Sequence, residues 1–134
     1  MIQKPDIVIH TDGACKGNPG PGGWGAVIEQ NGSQIQISGG EPQTTNNRME
    51  MTAVIKALEA IDSSAKILIS SDSTYVVNTM TKGWKRKANH DLWEQLDAVV
   101  KNRDVSWRWV RGHNGDRGNE LADALATKEA VTAK

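Results

Sequence analysis

Apolar residues recur along the 134-residue chain in two rhythms, every second position and every third or fourth, and the switches between them mark out its elements. Asp6 to Thr11 alternates about Ile7 and Ile9, then runs into Asp12-Gly13 and the stretch Lys16-Gly17-Asn18-Pro19-Gly20-Pro21-Gly22-Gly23, which predicts a strand followed by a tight turn. Trp24 to Gln30 and Ser33 to Ser38 read as two more strands, joined by the hairpin dipeptide Asn31-Gly32. The rhythm then lengthens. Thr44-Thr45-Asn46-Asn47 offers capping side chains, and from Arg48 onward Glu50, Val54, Ala57, Leu58 and Ile61 share one helical face. An acid, Glu50, therefore falls on the stripe that packs inward.

Beyond that helix, Lys66 to Ser71 predicts a short buried strand and Ser73 to Met80 a helix capped by Ser73. Asp91 to Val100 predicts a further helix, Val105 to Val110 a strand with Val105, Trp107 and Trp109 on one side, and Asn119 to about Ala130 a last helix. Strands in succession followed by strands alternating with helices imply an α/β fold: a mixed five-stranded sheet, its first three strands antiparallel, with helices on both faces. There is no internal repeat or linker, and only Thr81 to His90 is loosely patterned, so a single domain over residues 1–134 is expected. With 37% hydrophobic residues such a chain can bury a core without staples.

The longest apolar runs are three residues, as in Ile7-Val8-Ile9, and the first six residues lack the apolar stretch of a signal peptide. A soluble, cytoplasmic protein without membrane contact is expected, and a monomer. The lone Cys15 cannot close an internal disulfide, and reads as an ordinary small residue rather than a reactive thiol. Sixteen basic and sixteen acidic residues cancel, which by itself points to no nucleic acid. Their distribution is uneven, however: Lys82 to Arg111 holds eight Lys or Arg against four Asp or Glu. Either an acidic metal pocket beside a basic phosphate-binding strip or a plain solvated helix face would produce this split.

Four acids stand where strands end or helices present a packed face: Asp12 after the first strand, Asp72 after the fourth, Glu50 and Asp123 on helices. If the two strands are neighbours, these carboxylates meet at one end of the sheet, where open sheets bind ligands. Singly, each reads as a cap or a surface ion pair. Together they would repel one another unless a cation joined them, and two Mg²⁺ ions roughly 4 Å apart would clamp both sides of a phosphoryl displacement. His113, in Arg111-Gly112-His113-Asn114-Gly115-Asp116, is either a proton relay titrating near neutral pH or a surface histidine. Glu120 lies three positions before Asp123 on the same helix face, and either caps the helix or tunes the metal's outer shell.

Thr11-Asp12-Gly13, Gly17-Asn18-Pro19-Gly20, Thr45-Asn46-Asn47-Arg48-Met49-Glu50, Asp72-Ser73, Gly112-His113 and Asn119-Glu120-Leu121-Ala122-Asp123 resemble, in order and over nearly the whole chain, the signatures of type I ribonuclease H. The resemblance implies a ribonuclease H-like fold and a metal-dependent endonuclease that hydrolyses the RNA strand of an RNA/DNA hybrid, leaving 5′-phosphate and 3′-hydroxyl ends. It implies that Asp12, Glu50, Asp72 and Asp123 ligate two Mg²⁺ ions, with Mn²⁺ as a substitute, and that His113 transfers a proton. It further implies that Cys15, through its backbone, Asn18, Asn46 and Asn47 read the minor groove and its 2′-hydroxyls, and that Thr45 and Asn89 grip a DNA phosphate. Amide side chains suit that task, because they both donate to and accept from a hydroxyl.

Two departures stand out. Many bacterial members carry a long basic protrusion where this chain has only Lys82-Gly83-Trp84-Lys85-Arg86-Lys87, so fewer phosphate contacts and a shallower salt slope are expected. Trp84 either packs on a substrate sugar or joins the core. Gln43 stands where a basic residue is expected, and Thr74, a further substrate-facing position, where glutamine is common; both bear on affinity rather than catalysis. Trp93, Trp107 and Trp109 read as core. A hybrid-binding module without catalysis would have lost an acid, and none is missing; a retroviral-type or integrase-like domain fits the trimmed protrusion, yet the Met1 start and plain tail favour a freestanding enzyme.

Overall fold

The computed structural model describes residues 5–61, 64–112 and 116–133. The chain forms β1 (Ile7–Cys15), β2 (Gly20–Gln30), β3 (Ser33–Thr44), α1 (Asn46–Glu59), β4 (Lys66–Ser71), α2 (Thr74–Lys82), α3 (His90–Val100), β5 (Asp104–Trp109) and α4 (Arg117–Thr132). The strands lie in the order β3-β2-β1-β4-β5. The first three pair antiparallel, while β1–β4 and β4–β5 are parallel. Asn31 and Gly32 both take positive φ, 52° and 77°, which turns β2 back onto β3 without splaying the strands.

Alternation sends Ile7, Ile9, Ala26, Ile28, Ile67 and Ile69 to one sheet face, where Ile9 stands opposite both Ile28 and Ile69. Met51, Val54 and Leu58 of α1, Val76 of α2, and Leu92, Trp93 and Leu96 of α3 cover that face. Each such fully buried side chain contributes about 1.5–3 kcal/mol relative to leaving it in water. On the other face lies α4, whose buried stripe Gly118, Ala122, Ala126 and Ala130 is made of small residues. The reason is its floor: Gly25 of β2 sits so close that an added Cβ would fall 2.5 Å from the Ala122 carbonyl oxygen. Small against small brings the α4 backbone down onto the sheet.

The same close packing corrects the expected boundaries. Instead of turning at Asp12-Gly13, β1 continues to Cys15, paired residue by residue with β2 down to Gly22, and β2 begins at Gly20. Likewise β3 runs on from Ser38 to Thr44. Glycines that normally announce a turn here let helices approach a strand from both sides. Trp93 and Trp107 pack in or against the core as expected, but Trp109 does not: it is 47% exposed at the end of the edge strand.

Candidate active site at the end of the parallel strands

The parallel register between β1 and β4 ends on the pair Thr11–Ser71, so Asp12 and Asp72 leave that shared ladder side by side. Asp12 is not at a strand end, as the sequence implies, but inside β1 opposite Gly25, where β1 outruns its parallel neighbour. β4 stops because the next residues start a helix: the Ser73 hydroxyl accepts from the Val76 N–H at 3.1 Å, and Ser71 Oγ accepts from the Ser73 N–H at 3.0 Å. Glu50 arrives from the first turns of α1, whose N-cap Thr45 accepts from the Arg48 N–H at 3.3 Å. Gly13 makes that approach possible, since a Cβ there would lie 2.5 Å from the Glu50 nitrogen.

One carboxylate oxygen each from Asp12, Glu50 and Asp72 lies within 4.8 Å of the others. Asp123, half-buried on α4, stands outside this trio but within hydrogen-bonding reach of Asp12. Burial first, then the charge of Asp72 and the hydrogen bond with Asp123, push Asp12 up to about 8, although the Gly13 N–H donates to it at 2.9 Å. Glu50 is likewise held well above the usual carboxylate range, by burial first and then by Asp12 and Asp72. Its Oε1 is buried with no hydrogen-bond partner. An orphaned oxygen among three converging hard donors fits a divalent cation of the Mg²⁺ or Mn²⁺ kind, which takes oxygen ligands.

Of the other expected site residues, hydrogen bonds link some to one another and leave the rest apart. Asn18 and Asn46 meet, the Asn18 side-chain oxygen accepting from the Asn46 N–H at 2.9 Å, with Asn47 exposed beside them. Cys15 is half-buried, its thiol donating to the Gly17 carbonyl at 2.8 Å. Thr45 spends its hydroxyl on capping α1. Asn89 has a positive φ of 61° just before α3, accepts from Arg48 Nη1 at 3.3 Å and donates to the Tyr75 hydroxyl at 3.2 Å. Thr74 is exposed at the start of α2, and Trp84 is 48% exposed, which excludes a core role. Glu120 is exposed in the first turn of α4. His113 lies outside the described residues.

Sequence reasoning passed over three contributors. Arg48, which lies within the Thr45–Glu50 signature but was given no role of its own, orients Asn89 while held bidentate by Asp91 at 2.8 and 3.0 Å. Trp109 donates its indole N–H to the Asp72 carbonyl at 3.0 Å, and Gly112 lies against the Asp72 carboxylate. The Gly112-His113 signature pointed at the latter without saying what it touches.

A mixed sheet that gathers buried carboxylates where its parallel strands end defines a metal-dependent hydrolase of the phosphoryl-transfer kind. The model of the family described as RNase H matches residues 4–131, and the chain belongs to that family. Ribonuclease H of Hyphomonas neptunium is 51% identical over 141 residues, covering 96% of this chain and 94% of that protein. Among solved structures, LC9-RNase H1, a type 1 RNase H with the type 2 active-site motif, superposes with a TM-score of 0.81 at 34% identity, over 100% of this chain and 76% of that one. LC11-RNase H1, solved in complex with RNA/DNA hybrid, superposes with a TM-score of 0.80 at 26% identity, over 94% of this chain and 97% of that one.

Proposed function

We infer that this chain, acting as one domain, is an endoribonuclease that hydrolyses the RNA strand of RNA/DNA hybrids and leaves 5′-phosphate and 3′-hydroxyl ends. The observation that carries this reading is the trio Asp12, Glu50 and Asp72, with its unpartnered Glu50 oxygen and with Asp123 at its edge. These four carboxylates would hold Mg²⁺, or Mn²⁺ in its place. Two such ions, when bound, supply Lewis-acid polarisation of the scissile phosphate, an activated water and stabilisation of the departing 3′-oxygen.

The protein's own groups do the rest. Asp12 and Glu50 give up the proton that burial makes them hold, so cation binding and ionisation are one event. The joined Asn18–Asn46 pair and Asn47 present amides to the minor groove, where a 2′-hydroxyl distinguishes RNA from DNA. Asn89, fixed between Arg48 and Tyr75, keeps one amide N–H for a DNA phosphate beside Thr45. His113 takes the proton-relay role in this reading. No helix among the described residues is long and apolar enough to cross a membrane, and the single cysteine suits a reducing compartment such as the cytoplasm.

Purified protein is incubated with labelled RNA/DNA hybrid, double-stranded RNA and DNA duplex in Mg²⁺ or Mn²⁺. Short RNA fragments from the hybrid alone are expected, and none with Asp12→Asn. Binding of the hybrid without cutting in either metal would overturn the enzyme in favour of a binding module.

A further inference from the structure

Asp72 belongs to neither β4 nor α2, and its restraint comes from a third element. The β4–β5 ladder ends on the pair Ser71–Trp109, after which the Val110 N–H reaches the Ser71 carbonyl at 2.9 Å. The next carbonyl, that of Asp72, is met by the indole N–H of Trp109 at 3.0 Å. This accounts for a tryptophan left half in solvent at a strand end: its polar edge is spent on one backbone group of one acid. Three residues later the chain passes over the same acid again. A Cβ at Gly112 would fall 2.7 Å from Asp72 Oδ2 and 3.6 Å from the Asp72 Cβ and Cγ, its nearest neighbours all belonging to that side chain.

We propose that Trp109 and Gly112 are positioning residues that together fix the Asp72 carboxylate against Asp12 and Glu50, and so set the site's affinity for a divalent cation. This rests on the reading of the trio as a cation site. Trp109 restrains the main chain from which the carboxylate hangs. Gly112 leaves room for Oδ2 where it stands; a side chain there would begin 2.7 Å from that oxygen and press the carboxylate away. Neither residue ligates the metal. Losing a group that orients a metal ligand typically weakens binding by about 10–100-fold, because the ligand must then be ordered at the moment of binding.

The test uses the full chain, its Trp109→Phe and Gly112→Ala variants, and Mn²⁺ alone as probe. Trp109→Phe keeps a ring and removes the donor. Gly112→Ala presses a methyl group on the mobile end of one side chain, which can swing aside at little cost to folding. Mn²⁺ affinity is read by calorimetry without nucleic acid, and melting temperature with and without Mn²⁺. The expected result is a roughly tenfold weaker Mn²⁺ affinity in both variants, a smaller cation-induced rise in melting temperature, and a nearly unchanged cation-free melting temperature for Gly112→Ala. The cation concentration for half-maximal cleavage should rise, with KM for hybrid unchanged at saturating cation. Variants that titrate like the parent would overturn the proposal, and Gly112→Ala decides it alone if Trp109→Phe does not fold. A parent chain that binds no Mn²⁺ would overturn the cation site itself, a failure seen before any variant is made.

Discussion

At Asp12 folding and chemistry pull in opposite directions. Burial and the Asp72 charge raise this carboxyl from 3.8 to about 8, so between those values the folded chain holds a proton that the unfolded chain has released. That contribution to stability is complete below the lower value and is lost as pH rises through the upper one. The cation-free melting temperature should therefore fall from about pH 4 to about pH 8, measured by circular dichroism. A divalent cation that displaced this proton and bound the folded chain alone would stabilise it, and adding Mg²⁺ should therefore raise the melting temperature increasingly over the same range. Asp12→Asn should flatten both curves, raise cation-free stability by about 0.5–2 kcal/mol by removing an acid held against its preference, and abolish cleavage. A flat parent profile would contradict the buried, mutually repelling cluster.

The site depends on how closely elements approach as much as on which acids they carry. Gly25 lets α4 bring Asp123 to the sheet, and Gly13 lets α1 bring Glu50. Gly25→Ala would set a methyl against the α4 backbone, so a loss of about 1–3 kcal/mol in chemical denaturation and weakened cation binding are expected together. Ser73→Ala would remove the cap that ends β4 and starts α2, at a cost of about 1 kcal/mol. At this scale the sequence was legible where one rhythm reported one face, as for Glu50 on the buried stripe of α1. It was misleading at Asp12, because glycine marks a turn and a close helix contact alike, and only the partner strand tells them apart. Trp109 misled similarly: its alternation with Trp107 is real, but an open pocket between it and α2 leaves it half in solvent.

Across the whole molecule, the basic segment Lys82 to Lys87 is expected to set how strongly a polyanion is held. Of its cations, Arg86 is already engaged, paired with both oxygens of Asp97 and lying 4.9 Å over the Trp93 ring. Lys82, Lys85 and Lys87 are exposed. Lys85→Ala and Lys87→Ala should each weaken hybrid binding and lower the salt-dependence slope by about 1, whereas Arg86→Ala should chiefly cost stability. Equilibrium binding across a salt series separates the two, and an Arg86→Ala slope that drops like those of the lysines would show that its pairing with Asp97 yields to phosphate.

The order of strands and helices, the inward position of Glu50, the hairpin at Asn31-Gly32 and the list of acids worth watching were all determined by the sequence itself, because each depends on periodicity or on the chemistry of a few adjacent residues. That Asp12 and Asp72 emerge together, that glycines on β1 and β2 admit two helices, and that Trp109 and Gly112 enclose Asp72 were decided only by the tertiary structure. Those relations join residues tens of positions apart through backbone approach, and approach distance leaves no periodic trace along a chain.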